Sequence, residues 1–331
     1  MLLAGDIGGT KTVLALYSPE TGPRRPLIKE TFPSRRFDSL EAIIATFLEK
    51  HTQEITHAAF GVAGPVVKDR AQITNLPWLL SEQRLAGTFN LEAVHLLNDL
   101  EAVATAVPIL QQEDIRTLNE GENDPQGAIG VIAPGTGLGE AFLVWRAGQY
   151  HAFPSEGGHA DFAPTDETQI ALLSYLQAKH HHVSYERVCS GIGIPNLYAF
   201  FQESGHYPEP AWLREQIMAA DDPTPLIVQA AQQERAAIAT AALNLFINIL
   251  AGEAGNLALK ILATGGIYLG GGIPPRILPQ LEAGDFTATF IRKGRFSDLL
   301  QRVPVHVICN SQAALLGTAH DGLTMMESSW E

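Results

Sequence analysis

The 331-residue sequence predicts an α/β protein of two lobes, each a mixed sheet flanked by helices. Three observations point there. Residues 1–17 read as an apolar strand, a glycine turn and a second apolar strand, and residues 129–145 repeat that plan in the other half, with Pro134-Gly135-Thr136-Gly137-Leu138-Gly139 as the turn. Apolar residues elsewhere recur at helical spacing, as at Leu40, Ile43, Ile44 and Leu48. The length suffices for two hydrophobic cores.

The remaining elements follow from pattern. Helices are expected over 39–50, 100–106, 168–178, 234–262 and 312–320, the last capped by Asn310-Ser311. Short strands are expected over 58–63, 93–97 and 303–308. A glycine-dense loop runs from Thr264-Gly265-Gly266 through Gly270-Gly271-Gly272, and the tail from Met325 is expected to fray. No Ser/Gly tether joins the halves, so two lobes would meet at chain crossings. The expected division is 1–108 plus 305–331 for a small lobe and 109–304 for a large one, with ligands in a cleft between them.

Composition narrows the partners. A formal net charge of -14 disfavours nucleic acid and anionic membrane surfaces, which demand basic faces. It leaves room for an anionic nucleotide, which backbone amides and a metal ion can hold locally. Two cysteines, Cys189 and Cys309, are too few for a disulfide framework or a Cys-rich zinc site, and both are expected to be buried thiols. The first residues lack the basic and long apolar regions of a signal peptide. Apolar runs break before about 18 residues, so no membrane span is expected and the cytoplasm is the expected location.

Five constellations can carry chemistry. In Asp6-Ile7-Gly8-Gly9-Thr10-Lys11-Thr12 the paired glycines let backbone N–H groups approach a phosphate where a Cβ would collide, and Asp6 could hold a hydrated Mg2+. The segment lacks the GK[ST] of a Walker loop, and a plain β-turn is the alternative for the glycines alone. The second is the Gly135-Thr136-Gly137 turn, weak by itself. Two such hairpins, one per half, match the paired phosphate loops of the actin-like ATPases. The third is Asn98-Asp99, between a strand and a helix, where a carboxylate can accept a hydroxyl proton or can simply cap the helix. The fourth, Ser155-Glu156-Gly157-Gly158-His159-Ala160-Asp161, offers acceptors and donors that suit sugar hydroxyls, and less readily a metal. The fifth is Tyr185-Glu186-Arg187-Val188-Cys189-Ser190-Gly191, which in isolation reads as a surface ion pair. His180-His181-His182 reads as a solvated helix end, because three adjacent residues cannot all face one ion.

In this order the five pieces resemble the bacterial glucokinase family, in the branch without a zinc-binding cysteine cluster. The resemblance runs from Asp6 to the segment Asn310-Ser311-Gln312-Ala313-Ala314-Leu315-Leu316-Gly317, and its most specific motifs are Leu97-Asn98-Asp99, Ser155 to Pro164, and Glu186-Arg187-Val188 ahead of Ser190-Gly191. It implies a hexokinase-type actin-like fold and transfer of the ATP γ-phosphoryl group to the 6-hydroxyl of glucose. Asp99 would be the catalytic base; Asn98, Asp99, Glu156, His159 and Glu186 would bind the sugar. Gly5, Asp6, Ile7, Gly8, Gly9 and Thr10 would form the first nucleotide loop, Gly135, Thr136 and Gly137 the second, and Gly265, Gly266, Gly270 and Gly271 would lie near the adenosine. ATP with Mg2+ and no zinc is the implied cofactor set, and a homodimer is allowed. Lys11 departs from the Asn that many relatives carry, which leaves that side chain's phosphate contact open. Two rivals stand beside this reading: a kinase for mannose, fructose or an N-acetylated amino sugar, and a non-catalytic sugar sensor. The absence of a basic N-terminal extension and the presence of Asp99 favour the enzyme.

Overall fold

The computed structural model describes residues 1–328. In chain order the first elements are β1 (Leu2–Ile7), β2 (Lys11–Tyr17), β3 (Ile28–Pro33), α1 (Leu40–Lys50), β4 (His57–Val62), β5 (Arg70–Gln72), β6 (Leu79–Ser81), α2 (Glu82–Phe89), β7 (Ala93–Asn98) and α3 (Asp99–Ala106). Next come β8 (Ile115–Asn119), β9 (Ile129–Pro134), β10 (Leu138–Arg146), β11 (Gln149–Ser155), α4 (Glu167–Gln177), α5 (Gly193–Ser204), α6 (Ala211–Ala219), α7 (Thr224–Gln232) and α8 (Ala237–Ile261). The chain then forms β12 (Gly266–Leu269), α9 (Leu278–Ala283), α10 (Phe286–Ile291), α11 (Ser297–Arg302), β13 (Val305–Ile308) and α12 (Ala313–Ser328).

The chain packs as two compact units. One holds Met1–Gln111, Gly148–Pro154 and the segment from Asn310; the other holds Gln112–Ala147 and Ser155–Cys309. The sequence expectation put residues 305–309 in the first lobe. In the structure β13 instead pairs in parallel with β12, where Val305 and Val307 are fully buried in the second unit's core. The apolar strand follows its hydrogen-bonding partner, and the crossing into the first unit comes at Asn310.

The first unit's sheet has the order β3-β2-β1-β4-β7, antiparallel from β3 to β1 and parallel from β1 to β7. Alternation along the strands sorts the side chains. Leu3, Ile7, Leu14, Leu16 and Phe60 join Ile43, Ile44 and Phe47 of α1 on one face. Leu2, Ala4, Ala15, Tyr17 and Ala59 meet Leu315, Ala319 and Leu323 of α12 on the other. Small residues dominate this second face because the helix backbones come close. A Cβ at Gly317 would collide with the Ala102 carbonyl of α3 and come within 2.8 Å of the Ala106 nitrogen. Gly317→Ala is therefore expected to lower stability by about 1–3 kcal/mol, the typical cost of overpacking where backbone must move. Urea unfolding of the variant should show an earlier midpoint, and an unchanged midpoint would contradict this packing. Helix α12 also corrects the expected tail: residues 325–328 belong to it, and Met326 is buried. Residues 329–331 lie outside the described residues.

In the second unit the strands run β10-β9-β12-β13-β8, with β10-β9 antiparallel, β9-β12-β13 parallel and β13-β8 antiparallel. A hairpin followed by parallel strands thus occurs in both sheets, matching the repeated plan in the sequence. The core forms around α8, which packs on α5, α7 and α10. The helix expected over 234–262 is α8, which starts only at Ala237, because Glu234 takes a left-handed backbone just before it. By length and composition α8 could cross a membrane, which the apolar pattern did not foretell. Two thirds of its most apolar window is buried inside the protein, so its hydrophobicity serves the core. Of the cysteines, Cys189 is buried as expected, whereas Cys309 is only half-buried.

Candidate active site

In the first unit, β1 and β2 are joined by the Gly8-Gly9-Thr10 turn. The Gly8 N–H donates to the Lys11 carbonyl at 3.0 Å. Ser34, buried just after β3, ties the turn down: its Oγ donates to the Gly8 carbonyl at 2.7 Å and lies 3.0 Å from Thr12 Oγ1, and its N–H donates to the Thr10 carbonyl at 3.0 Å. Sequence reasoning missed Ser34, since a lone serine after an edge strand carries no signal. Gly9 abuts the loop before β6, where an added Cβ would lie 3.0 Å from the Thr74 carbonyl. That loop, through Thr74, Asn75 and Pro77, borders a cavity of about 560 Å³ together with Pro65 and Gln72. Thr10 and Lys11 are exposed at the tip.

Asp6 lies near the end of β1, on the same face as Leu2 and Ala4. Burial pushes its carboxyl up to about 6; the charge of Asp99 adds to the rise, and Lys11 opposes it. Asp99 opens α3. Its Oδ1 accepts from the Leu100 N–H at 2.9 Å, and Asn98 Oδ1 accepts from the same N–H at 3.0 Å while Asn98 Nδ2 donates to the Gly64 carbonyl. The cap of α3 is therefore held by Asn98 as well, which leaves Asp99 available for other work. Its carboxyl sits above the ordinary range, chiefly through desolvation, although the residue is exposed by area and water tempers the shift. The first unit thus brings together the glycine turn, Asp6, Asn98 and Asp99.

The second unit gathers the other candidates. Gly135, Thr136 and Gly137 join β9 to β10. The Gly135 carbonyl accepts from the Gly191 N–H at 2.7 Å, and the Thr136 carbonyl accepts from that of Ile192 at 3.3 Å. Glu186 Oε2 accepts from the Leu138 N–H at 3.0 Å and lies where a Cβ on Gly137 would go. One oxygen of this expected sugar ligand is thus committed to the hairpin. Glu156 and His159 flank a single turn, their side chains 85% and 59% exposed and 4.0 Å apart. That exposure leaves hydrogen-bonding capacity open toward solvent. The turn itself is fixed: a Cβ on Gly158 would strike the Leu138 carbonyl, and one on Gly157 would strike Glu140. Asp161 at its end pairs with Ser184 and bonds His182 Nε2 at 2.9 Å, so one of the three adjacent histidines has a structural partner.

The four downstream glycines are not one loop. Gly270 and Gly271 follow β12 and reach the second hairpin: the Gly270 N–H donates to the Ile132 carbonyl, and Gly271, at φ +79°, leaves no room for a Cβ beside the Pro134 carbonyl. Gly265 and Gly266 lie at the other end of β12, roughly 13 Å away at about 3.3 Å per residue. There Gly265 packs on Gly127, and its N–H donates to the Ala128 carbonyl. The segment read from the sequence as one glycine loop is therefore two separate glycine pairs. A strand, Gly266–Leu269, separates the two pairs, and only Gly270 and Gly271 adjoin the Gly135–Gly137 turn. Among the described residues no group of three or more His, Cys, Asp or Glu side chains is arranged to hold a metal ion.

The glucokinase family model matches residues 3–324. The chain belongs to the glucokinase family. A glucokinase of Nostoc punctiforme is 41% identical over 96% of this chain and 98% of its own length. The crystal structure of a glucokinase from an Antarctic psychrotroph superposes with a TM-score of 0.86 at 31% identity, covering 98% of both chains. The fold is shared more widely. A ROK family glucokinase from Streptomyces griseus, solved in complex with glucose and AMPPNP, reaches a TM-score of 0.62 at 18% identity over 98% of this chain and 99% of its own. The architecture is accordingly the hexokinase-type, actin-like one.

Proposed function

We infer that this glucokinase-family chain catalyses ATP-dependent phosphorylation of D-glucose at the 6-hydroxyl. The observation that carries the reading is in the first unit: Asp99, with its capping duty shared by Asn98, lies close enough to Asp6 and the Gly8-Gly9-Thr10 turn for its charge to raise Asp6. A base and a glycine turn at the same end of one sheet are what phosphoryl transfer to a hydroxyl needs. Asp99 accepts the proton of the 6-hydroxyl as that oxygen bonds to the γ-phosphorus and ADP departs. The open N–H groups of the two hairpin turns cradle phosphate oxygens, Gly270 and Gly271 border the nucleoside, and Asn98, Glu156, His159 and Glu186 orient the ring.

Asp6 and Asp99 also fit a hydrated Mg2+. Burial and the charge of Asp99 raise the proton affinity of Asp6, and a divalent cation would relieve that and supply neutralising charge to the phosphates. The test is ADP release measured across a panel of glucose, mannose, fructose and N-acetylglucosamine, with and without Mg2+. Turnover should require Mg2+ and be highest with glucose. Preference for another hexose would favour the rival kinase, and no sugar-dependent turnover would favour the sensor.

A further inference from the structure

Beneath the Glu156–His159 turn lies a buried acid that the mechanism does not use. Glu140, in β10, is 2% exposed, and among the described residues no hydrogen-bond partner meets its Oε1. Its Oε2 lies directly under Gly157, in the space a Cβ there would fill. A second acid, Glu253 of α8, is fully buried nearby. Glu253 has partners: Lys260 Nζ donates to its Oε1 at 3.0 Å and Asn256 Nδ2 to its Oε2 at 2.8 Å. The same Asn256 Nδ2 donates to the hydroxyl of Tyr185, the residue before Glu186, at 3.0 Å. Both turns assigned to the sugar therefore rest on one buried acidic layer, one through Gly157 and the other through Tyr185.

The charge balance of that layer is uneven. Lys260 bonds Glu253, and Lys293 Nζ is spent on the Gly252 carbonyl and Asn256 Oδ1 at 2.8 and 2.6 Å. Buried Cys189 also faces the two acids, its thiol held neutral by burial and their charge. Among the described residues no cation is dedicated to Glu140. Burying a neutral carboxyl costs far less than burying an unpaired carboxylate. Accordingly burial first, then the charge of Glu253, raise Glu140 to about 7, with Lys260 opposing.

We propose that Glu140 is a positioning residue for the sugar: neutral, it supports the Gly157 backbone and so the placement of Glu156 and His159; ionised, it repels Glu253 and displaces that turn, weakening glucose binding without entering the chemistry. This rests on the glucokinase reading above. The sign follows from linkage. If the glucose-bound form favours the neutral carboxyl, glucose affinity is full below the pKa of Glu140 and declines as pH rises through it. A difference of one pKa unit between bound and free protein limits that decline to about tenfold.

The test is the glucose dissociation constant, measured calorimetrically without nucleotide across the neutral pH range, for the protein and for Glu140→Gln. In the protein the constant should rise severalfold with a midpoint near 7. In Glu140→Gln it should stay at the low-pH value throughout, while kcat at saturating glucose changes by less than about twofold, because a positioning role appears in binding and not in turnover. Superimposable profiles would overturn the proposal. Should Glu140→Gln fail to fold, Glu253→Gln gives the second reading: removing the like charge should move the midpoint to lower pH, and an unmoved midpoint overturns the proposal equally. Absence of glucose binding at every pH would overturn the functional reading and this inference with it. Binding with one pH profile for protein and variant would overturn this inference alone.

Discussion

Asp99→Asn is expected to lower kcat by about 10²–10⁴-fold, the range typical for loss of a general base. The fold should survive, because the asparagine oxygen can still accept from the Leu100 N–H and Asn98 Oδ1 already caps α3 at 3.0 Å. Glucose affinity should change little, since an amide retains the shape and an acceptor oxygen. What disappears is the capacity to take a proton. Steady-state kinetics beside a thermal melt separate the two roles that the sequence left open. A fall in kcat at constant melting temperature identifies a base; a lowered melting temperature with normal turnover would reduce Asp99 to a helix cap.

The second large effect is discrimination between sugars. Glucose should exceed N-acetylglucosamine in kcat/KM by a factor on the order of 10⁴, the scale seen when a site built for hydroxyl groups is left with unpaired polar partners. The structure supplies a reason for rigidity here. With Glu140 neutral the Glu156–His159 turn has little room to retreat from a bulky substituent, because Gly158 packs on the Leu138 carbonyl and Gly157 on Glu140. Comparable kcat/KM for the two sugars would show that the turn yields, and would favour the rival hexosamine kinase.

Much of this was legible in the sequence where local pattern and local chemistry coincide. The β1-β2 and β9-β10 hairpins announced themselves through apolar runs broken by glycine, and Ser39 marked the start of α1, where its Oγ accepts from the Ala42 N–H at 3.3 Å. The edge strand β3 was not foreseen, because between Ile28 and Phe32 its residues are polar and carry no apolar alternation. Nor were α5, α6 and α7, whose apolar positions serve a packed helical layer and not one clean face. Strand β13 was recognised as a strand but placed in the wrong lobe. Its composition says that it is buried, and only pairing with β12 says where.

Site residues divide along the same line. Asn98, Asp99, Glu156, His159 and Glu186 sit in short motifs whose residues are neighbours in sequence. Ser34 reaches the Gly8 turn from 26 positions away, and Glu140 meets the charge of Glu253 only once α8 is laid on the second sheet. Glu253 did leave one trace: it is the only acidic residue in a 25-residue helix that is otherwise largely apolar. A buried acid in such a helix calls for a partner, but the sequence does not say which. The glycine pairs around β12 failed for the opposite reason. Their nearness in sequence suggested one loop, whereas the three extended residues 267–269 of β12 hold them apart.

The most direct measurement is the identity of the product. The protein should be incubated with Mg2+, ATP and glucose, and the phosphorus spectrum followed as ATP is consumed. One new phosphomonoester signal, coupled to the two protons on C6 and growing in step with ADP, is the predicted result. It should be absent with 6-deoxyglucose and strongly slowed in Asp99→Asn. Inorganic phosphate as the main product, or a phosphate ester at another carbon, would contradict transfer to the 6-hydroxyl.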